Sequence, residues 1–380
     1  MRIVHFSITP CAGQPINIVR ALQAYTDHDA RLIDLERWGL YEHDLVFSED
    51  LDQALELAEK ADLIHLHNYL DLDSKDFSPI AFRSLRKEGK AFVRQFHSSP
   101  GLIAQNKGVP VSRLELDSLP SLVCAQFQER FYPKARPVPL IIPQDHPDYQ
   151  PDHEAVKPSI FFAPTHMADA WTDRWNTKGA PETLRLIKRV ARRTGCAVRF
   201  MTQRPITEIL RERRKCAVMI DELITGSYHT SSLEGLSVGK PVLTFLDHRV
   251  RQVLQEISGS DACPFVNVRL ENAFEVLVYL IENPDEAAWI GTAGREWIER
   301  FWTDRILVGH FVEAYQKLLA DPGLVRRQEC LCLDSPAARF FAVILPDLLH
   351  MSRLKTIRRS LTGRIWAFFK RFITSRISGV

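Results

Sequence analysis

The sequence lacks the marks of a metalloprotein, a secreted protein or a membrane-spanning one. Seven cysteines stand at 11, 124, 196, 216, 263, 330 and 332, and no two make a C-x-x-C pair. An odd, unpatterned set fits neither a disulfide framework nor a zinc site, so reduced cytosolic thiols and no metal are expected. No window of about 18 uncharged apolar residues occurs, which argues against a membrane-crossing helix. The opening "MRIVHFSITP" runs straight into a strand-like segment with one basic residue and no cleavage pattern, so no signal peptide is expected. A net charge of +2 supplies no global field for nucleic acid, and none is expected as a partner. There is no internal repeat and no low-complexity tract. With 45% apolar and 25% charged residues, wholesale disorder is excluded.

What is present is alternation. "RIVHFSI" precedes the helical "PINIVRALQAY", "ARLIDL" precedes "DLDQALELAEKA", and "DLIHLHN" precedes "SPIAFRSLRKEG"; "AFVRQFH" and "SLVCA" follow. Short apolar strands alternating with amphipathic helices predict a parallel sheet covered on both faces. Residues 137–158 hold six prolines and break the pattern, and "SIFFAP" then restarts it. The spacing predicts an α/β protein with two facing, doubly wound domains. The N-terminal domain spans 1–140, a hinge 141–158, the second domain 159–303, a closing helix 304–320 and a tail 321–380. Two long helices are expected over about 271–301 and 304–320. Such a plan leaves a crevice between the carboxyl ends of the two sets of strands, where ligands bind.

Residues 227–245, "SYHTSSLEGLSVGKPVLTF", pose the main chemical question. "GLSVGKP" is one residue short of a phosphate-loop spacing and carries Pro241 where a hydroxyl is needed, so that reading is rejected. A polar turn then feeds a short helix whose free N–H groups suit a phosphate. Glu234, one turn on, suits sugar hydroxyls; alternatively Ser231 or Ser232 caps the helix and Glu234 complements its dipole.

The stretch "GSYHTSSLEGLSVGKPVL" resembles the donor site of retaining GT-B glycosyltransferases of the family 4 (group 1) type, E-G-F-G-x-x-x-L-E-A-M-A-x-G-x-P-V-V. The resemblance puts Glu234 on the glutamate that holds the nucleotide ribose, with His229 and Ser231 in the same donor-binding turn. The family's first glutamate falls at Gly226 and is absent. "TPCAGQPINIVRAL" is similar to the family's glycine-pair loop at the donor phosphates, which implies a role for Gly13. "FVRQFHSSP" places His97 at the family's strand-end histidine beside the transferring sugar, and "LIHLHN" is similar to its V-V-H-x-H strand. His67 ends that strand, and His65 reads as a satisfied core histidine. "RWNTKGAPETL" resembles the G-R-L-x-x-x-K-G segment: Lys178 matches its lysine, and Arg174 stands near enough in sequence to replace the missing arginine.

The resemblance therefore implies a nucleotide-sugar donor, a glycan or lipid-linked acceptor of surface polysaccharide synthesis, catalytic residues His97, Lys178 and Arg174, and no cofactor. Alternatives are a nucleotide-sugar 2-epimerase and a non-catalytic binding module, the latter motivated by the missing glutamate and arginine. The D-x-D string in "DLDSKD" reads as a solvated loop. Outside the resemblance, residues 350–380 carry eight Lys/Arg and no acid, with Leu354, Ile357, Leu361, Ile365, Phe368 and Phe372 at helical steps. A basic amphipathic helix of this kind fits an anionic membrane surface, so the chain is expected in the cytoplasm, peripheral on the inner face.

Overall fold

The computed structural model describes residues 1–152, 157–170 and 177–352. Arg174 and the basic stretch after Ser352 lie outside the described residues. The chain forms two compact units, Met1–Cys332 and Leu333–Val380.

The first unit holds two sheets. β1 (Arg2–Ser7), β2 (Asp29–Asp34), β3 (Leu45–Val46), β4 (Leu63–His67), β5 (Ala91–Phe96), β6 (Ser121–Cys124) and β7 (Arg136–Val138) make the first. Its order is β3-β2-β1-β4-β5-β6-β7, and every pairing is parallel. β8 (Ser159–Phe162), β9 (Ala197–Phe200), β10 (Val218–Ile220), β11 (Val242–Thr244) and β12 (Val266–Asn267) make the second, in the parallel order β12-β11-β10-β8-β9. Central strands read as unbroken apolar runs because helices cover both faces; all of β4 is buried, its two histidines included. Strand order reverses at β1/β4 in one sheet and at β8/β10 in the other, and such reversals open the crevice that binds ligands.

Among the described residues, ten helices of this unit flank the sheets: α1 (Gln14–Tyr25), α2 (Leu51–Lys60), α3 (Phe82–Lys87), α4 (Pro100–Lys107), α5 (Ala180–Thr194), α6 (Ile206–Arg214), α7 (Thr230–Ser237), α8 (His248–Ser258), α9 (Ala273–Glu282) and α10 (Pro284–Phe301). An eleventh, α11 (Asp304–Ala320), returns to pack on α1 and β5 of the first sheet. α5 ends on Gly195 in the left-handed region, as its sequence predicts. The expected helix over 271–301 is instead two, α9 and α10. Pro284 has no N–H to continue α9, and Asn283 leaves helical geometry at φ −124°.

The two halves share one apolar core, in which Leu140, at the end of the first half, and Ile141 of the hinge join Leu233, Trp302 and Phe311. Beside it, Glu129 is fully buried and accepts from Arg249 at 2.6 Å and from Arg327. That contact moves a boundary. The tail was expected from 321, but Arg327 and buried Leu331 tie residues 321–332 to the main unit. The described part of the second unit is helical from Pro336 to Ser352, with one wide turn at Phe340–Ile344. It exposes Phe340, Phe341, Ile344, Leu348 and Leu349. Among the described residues no helix is long and apolar enough to cross a membrane.

Candidate functional site

A cleft of about 270 Å³ lies between the halves. The loop after β1 forms one edge. Cys11, Ala12 and Gly13 follow one another at φ 43°, 56° and 75°, a left-handed run that L residues rarely adopt. Glycine is required at 13 for a second reason: a Cβ there would lie 2.8 Å from the Tyr41 ring. The run turns the chain so that α1 starts at the cleft, with Ala12 and Gln14 on its lining. Gln14 also ties the halves, donating to Ile141 O at 3.1 Å and to Thr230 Oγ1 at 3.3 Å.

The opposite bank is charged. α7 starts at Thr230 on the cleft, so the N-terminal ends of two helices, with their dipoles, face it. Behind α7, Asp221 follows β10 with about 1% of its surface exposed. Its carboxylate pairs with Lys178 and accepts from the Ser231 and Ser232 hydroxyls. It also accepts from the His229 backbone N–H at 2.9 Å and lies 3.0 Å from His229 Nδ1. Burial acts to raise this carboxyl, but Lys178 and His229 outweigh it and hold Asp221 well below the usual range. Lys178 in turn donates to Ser231 Oγ at 2.8 Å and reaches the cleft. The adjacent Gly179 sits at φ 55°, and a Cβ there would come 2.8 Å from Ile224. The Lys-Gly pair is therefore a cation followed by the one residue that lets α5 start against that loop.

Glu234 stands apart from this bank. It is 4% exposed, pairs with Arg213 of α6 and does not line the cleft. Its charge acts on Tyr41 and Tyr149, whose hydroxyls burial and Glu234 together raise. Tyr41 belongs to a loop of the first half that bonds across to α6 through Leu40 O and Ile206 N at 2.9 Å.

Gly226, where the family pattern has its first glutamate, is at φ 90°. A Cβ there would lie 3.0 Å from Asp247 Cβ and 3.2 Å from the Phe245 ring. No glutamate fits without shifting the loop. The nearby Glu222 is buried and holds the turn, accepting from the N–H groups of Ile224, Thr225, Gly226 and Ser227 at 2.7–3.0 Å.

The first-sheet bank carries the neutral side chains of Asn68, His97, Cys124 and Gln128 on the cleft lining. His97 follows β5 and lines the cleft, its backbone N–H on Asn68 Oδ1 at 3.1 Å and its carbonyl accepting from Gln128 at 3.1 Å. Burial pushes its imidazole, and that of His5, down to about 3. His65 and His67 are also lowered, by burial first and by neighbouring histidines second. Among the described residues, His5, His65 and His67 form the one trio with ligand atoms close enough for a metal, within 4.8 Å. The ring planes argue against an ion: His65 and His67 are stacked 12° apart with centroids 4.4 Å apart, so their in-plane lone pairs run nearly parallel.

Of the residues expected from sequence, His97, Lys178 and His229 line the cleft. Ser231 bonds Lys178 and Asp221 behind them, Gly13 shapes the loop, Glu234 is buried against Arg213, and Arg174 is outside the described residues. His65 is only half satisfied, since its Nε2 has no partner. Sequence reasoning missed Asp221, Arg213, Cys124 and Gln126. Asp221 had a usable signal, an acid directly after an apolar strand; the others became visible only through distant contacts, Arg213 with Glu234, Cys124 with His97, and Gln126, on the cleft lining, donating to Tyr228 O at 2.6 Å.

No family model matches the sequence, and no curated protein matches it. Solved structures do. Sucrose-phosphate synthase from Thermosynechococcus elongatus superposes with a TM-score of 0.52 at 14% identity, over 84% of this chain and 99% of its own. Anabaena HepE in complex with UDP and glucose gives 0.52 at 13%, over 83% and 99%. An alpha-glucosyltransferase in complex with UDP and a 13-mer DNA containing an HMU base gives 0.54 at 13%, over 84% and 99%. At such identities the likeness is one of fold: two facing parallel-sheet domains of the GT-B kind, as the strand pattern predicts.

Proposed function

We infer that the chain is a glycosyltransferase that takes a hexosyl group from a nucleotide-sugar donor and delivers it, with retention, to a hydroxyl of a glycan or lipid-linked acceptor. One observation carries the reading: Lys178 and the N-terminus of α7 face the N-terminus of α1 across a 270 Å³ cleft. That arrangement offers a diphosphate a cation and the positive ends of two helix dipoles. Bond breaking leaves extra negative charge on the diphosphate, and fixed positive groups stabilise it most in the transition state. Lys178 then exchanges Asp221 and Ser231 for phosphate oxygens, and Arg174 is proposed as a second cation on sequence grounds alone. The hexosyl group lies between His229 and His97. Glu234 takes the ribose hydroxyls once the Tyr41 ring has moved aside. The scheme uses no cofactor and no metal.

A peripheral place on an anionic membrane belongs to the same reading. The exposed Phe341, Leu348 and Leu349 run directly into a stretch with eight cations and no acid, and such a surface suits lipid. The full chain should bind anionic vesicles at low salt, and failure to do so removes the membrane from the scheme.

A donor-binding module without turnover is the second reading, favoured by the crowded Gly226 and by the pairing of Glu234 with Arg213. A thermal-shift screen over UDP, GDP, CDP, ADP and dTDP tests the donor site; a ligand at 100 times its Kd stabilises by about 2.7 kcal/mol. Stabilisation by one base followed by slow release of free sugar from its nucleotide-sugar supports transfer. Stabilisation without release selects the module, and no response to any nucleotide overturns both.

A further inference from the structure

Beneath His97 the histidines form a continuous chain. The parallel register sets His5 of β1 beside His65 of β4, and His67 lies two residues on, on the same face. His97 Nε2 is 2.9 Å from His67 Nδ1, and His67 Nε2 is 3.0 Å from His5 Nδ1. His5 Nε2 lies 3.5 Å from the Tyr315 hydroxyl of α11, which is 2.8 Å from His65 Nδ1. At the cleft end, His97 Nδ1 is 3.2 Å from Cys124 Sγ, and Gln95 Nε2 donates to the same sulfur at 3.6 Å.

Every member is neutral. Burial lowers the four imidazoles, raises the Cys124 thiol to about 12 and holds the Tyr315 hydroxyl well above its usual value. A neutral imidazole donates from one nitrogen and accepts at the other, so each contact needs a donor facing an acceptor. Choosing one tautomer therefore sets the next, and the chain has two self-consistent settings. In the first, Cys124 donates to His97 Nδ1, His97 Nε2–H to His67, His67 Nε2–H to His5, His5 Nε2–H to Tyr315, and Tyr315 to His65 Nδ1. The second reverses each bond.

Gln95 decides between them. Its carbonyl Oε1 and His65 Nε2 are both buried without a bond of good geometry. Gln95 of β5 pairs with His67 of β4 in the parallel register, so its side chain stands on the same face as His65, one pair along. In the first setting His65 presents an N–H on the side where that carbonyl needs a donor; in the second it presents another lone pair. The first setting also lets Cys124 accept from Gln95 while donating to His97. All its groups from Gln95 Nε2 to His65 Nδ1 then lie in one chain of donors and acceptors, which low dielectric makes costly to break.

We propose that His5, His65 and His67, with Tyr315, Gln95 and Cys124, are positioning residues that lock His97 in its Nε2–H tautomer, so that His97 serves transfer by a fixed ring surface and not by exchanging a proton. The role in transfer rests on the glycosyltransferase reading; the tautomer lock does not.

The test is long-range 1H–15N correlation on full-length protein carrying 15N-histidine, with His97 assigned by its loss in His97→Gln. Wild type should show one His97 tautomer, proton on Nε2 and Nδ1 bare. Tyr315→Phe, which keeps the ring and removes the linking hydroxyl, should split His97 into two tautomers, and Gln95→Leu should do so from the other end. If one variant fails to fold, the other carries the test. A His97 proton on Nδ1, an imidazolium, a wild-type pattern in a folded variant, or one zinc ion per chain shifting His5, His65 and His67 would each overturn the lock. A single Nε2–H tautomer in a protein that no nucleotide stabilises would keep the lock and remove only the transfer role.

Discussion

The two banks of the cleft solve opposite problems with buried polar groups. The second-sheet bank buries its charges as a pair, Lys178 with Asp221, and the same half pairs Arg213 with Glu234 away from the cleft lining. The first-sheet bank buries three histidines behind the half-buried His97 and keeps all four neutral, linked through one another and Tyr315. Isolated charges are expensive in a dry interior, and a protein can avoid that cost by pairing them or by removing the proton. A paired cation can be handed to an incoming phosphate. A neutral histidine has no charge to hand over and instead offers a fixed surface. The division matches a ligand that is anionic at one end and hydroxyl-rich at the other.

The largest expected effect strikes the charged bank. Asp221→Asn leaves Lys178 without its partner and weakens the bonds to Ser231, Ser232 and His229; loss of one member of a buried pair costs about 3–5 kcal/mol. Urea unfolding measures it, and a loss below about 1 kcal/mol would mean the bank is not organised around Asp221. Next comes Lys178→Ala, expected to lower kcat by roughly 10²–10³ while KM changes little, as when a transition-state donor is removed. Unchanged turnover on the donor that the nucleotide screen identifies removes Lys178 from the chemistry. Gly226→Glu, which restores the family glutamate, should reduce stability by at least about 1–2 kcal/mol, because an L residue resists φ 90°. A stable and faster variant would show that the loop yields and that the missing glutamate is a matter of function alone.

The neutral bank gives the most gradual response, spread over pH. His5 and His97 titrate near 3 when folded against 6.5 for the ordinary side chain. Between these values the unfolded chain holds protons that the folded one does not. Stability is therefore complete above pH 6.5 and falls as pH drops toward 3, by up to about 1.4 kcal/mol per pH unit for each such histidine. Tm measured from pH 7.5 to 4.5 should decline in this window, and His5→Phe should make the decline shallower. A flat profile would mean that the histidines are protonated in the folded state.

The sequence was most informative where the cause is local. Apolar runs of four to six residues predicted the central strands, and the prolines of 137–158 predicted the connection, because pleat and ring closure act over a few residues. His97 was legible as a polar residue at a strand end, a position that faces the crevice in a doubly wound sheet, whereas Lys178 and His229 were marked by the family resemblance; all three line the cleft. The break at Pro284 was equally local and was overlooked within a strongly periodic window. Glu234 was placed correctly on its helix and could not be judged further: whether its carboxylate is open or sealed depends on Arg213 and Tyr41, which lie 21 and 193 residues away.

Periodicity, caps and turns follow from steric and hydrogen-bond rules within one or two turns of chain, so they can be read in order along the sequence. Protonation and partnership follow from burial and from whatever side chains the fold brings together. His5, His65, His67, His97 and Tyr315 are spread over 310 residues and carry no common motif, yet they touch in space. Parallel register and the return of α11 bring them together, and only there does low dielectric turn five ordinary side chains into one coupled set.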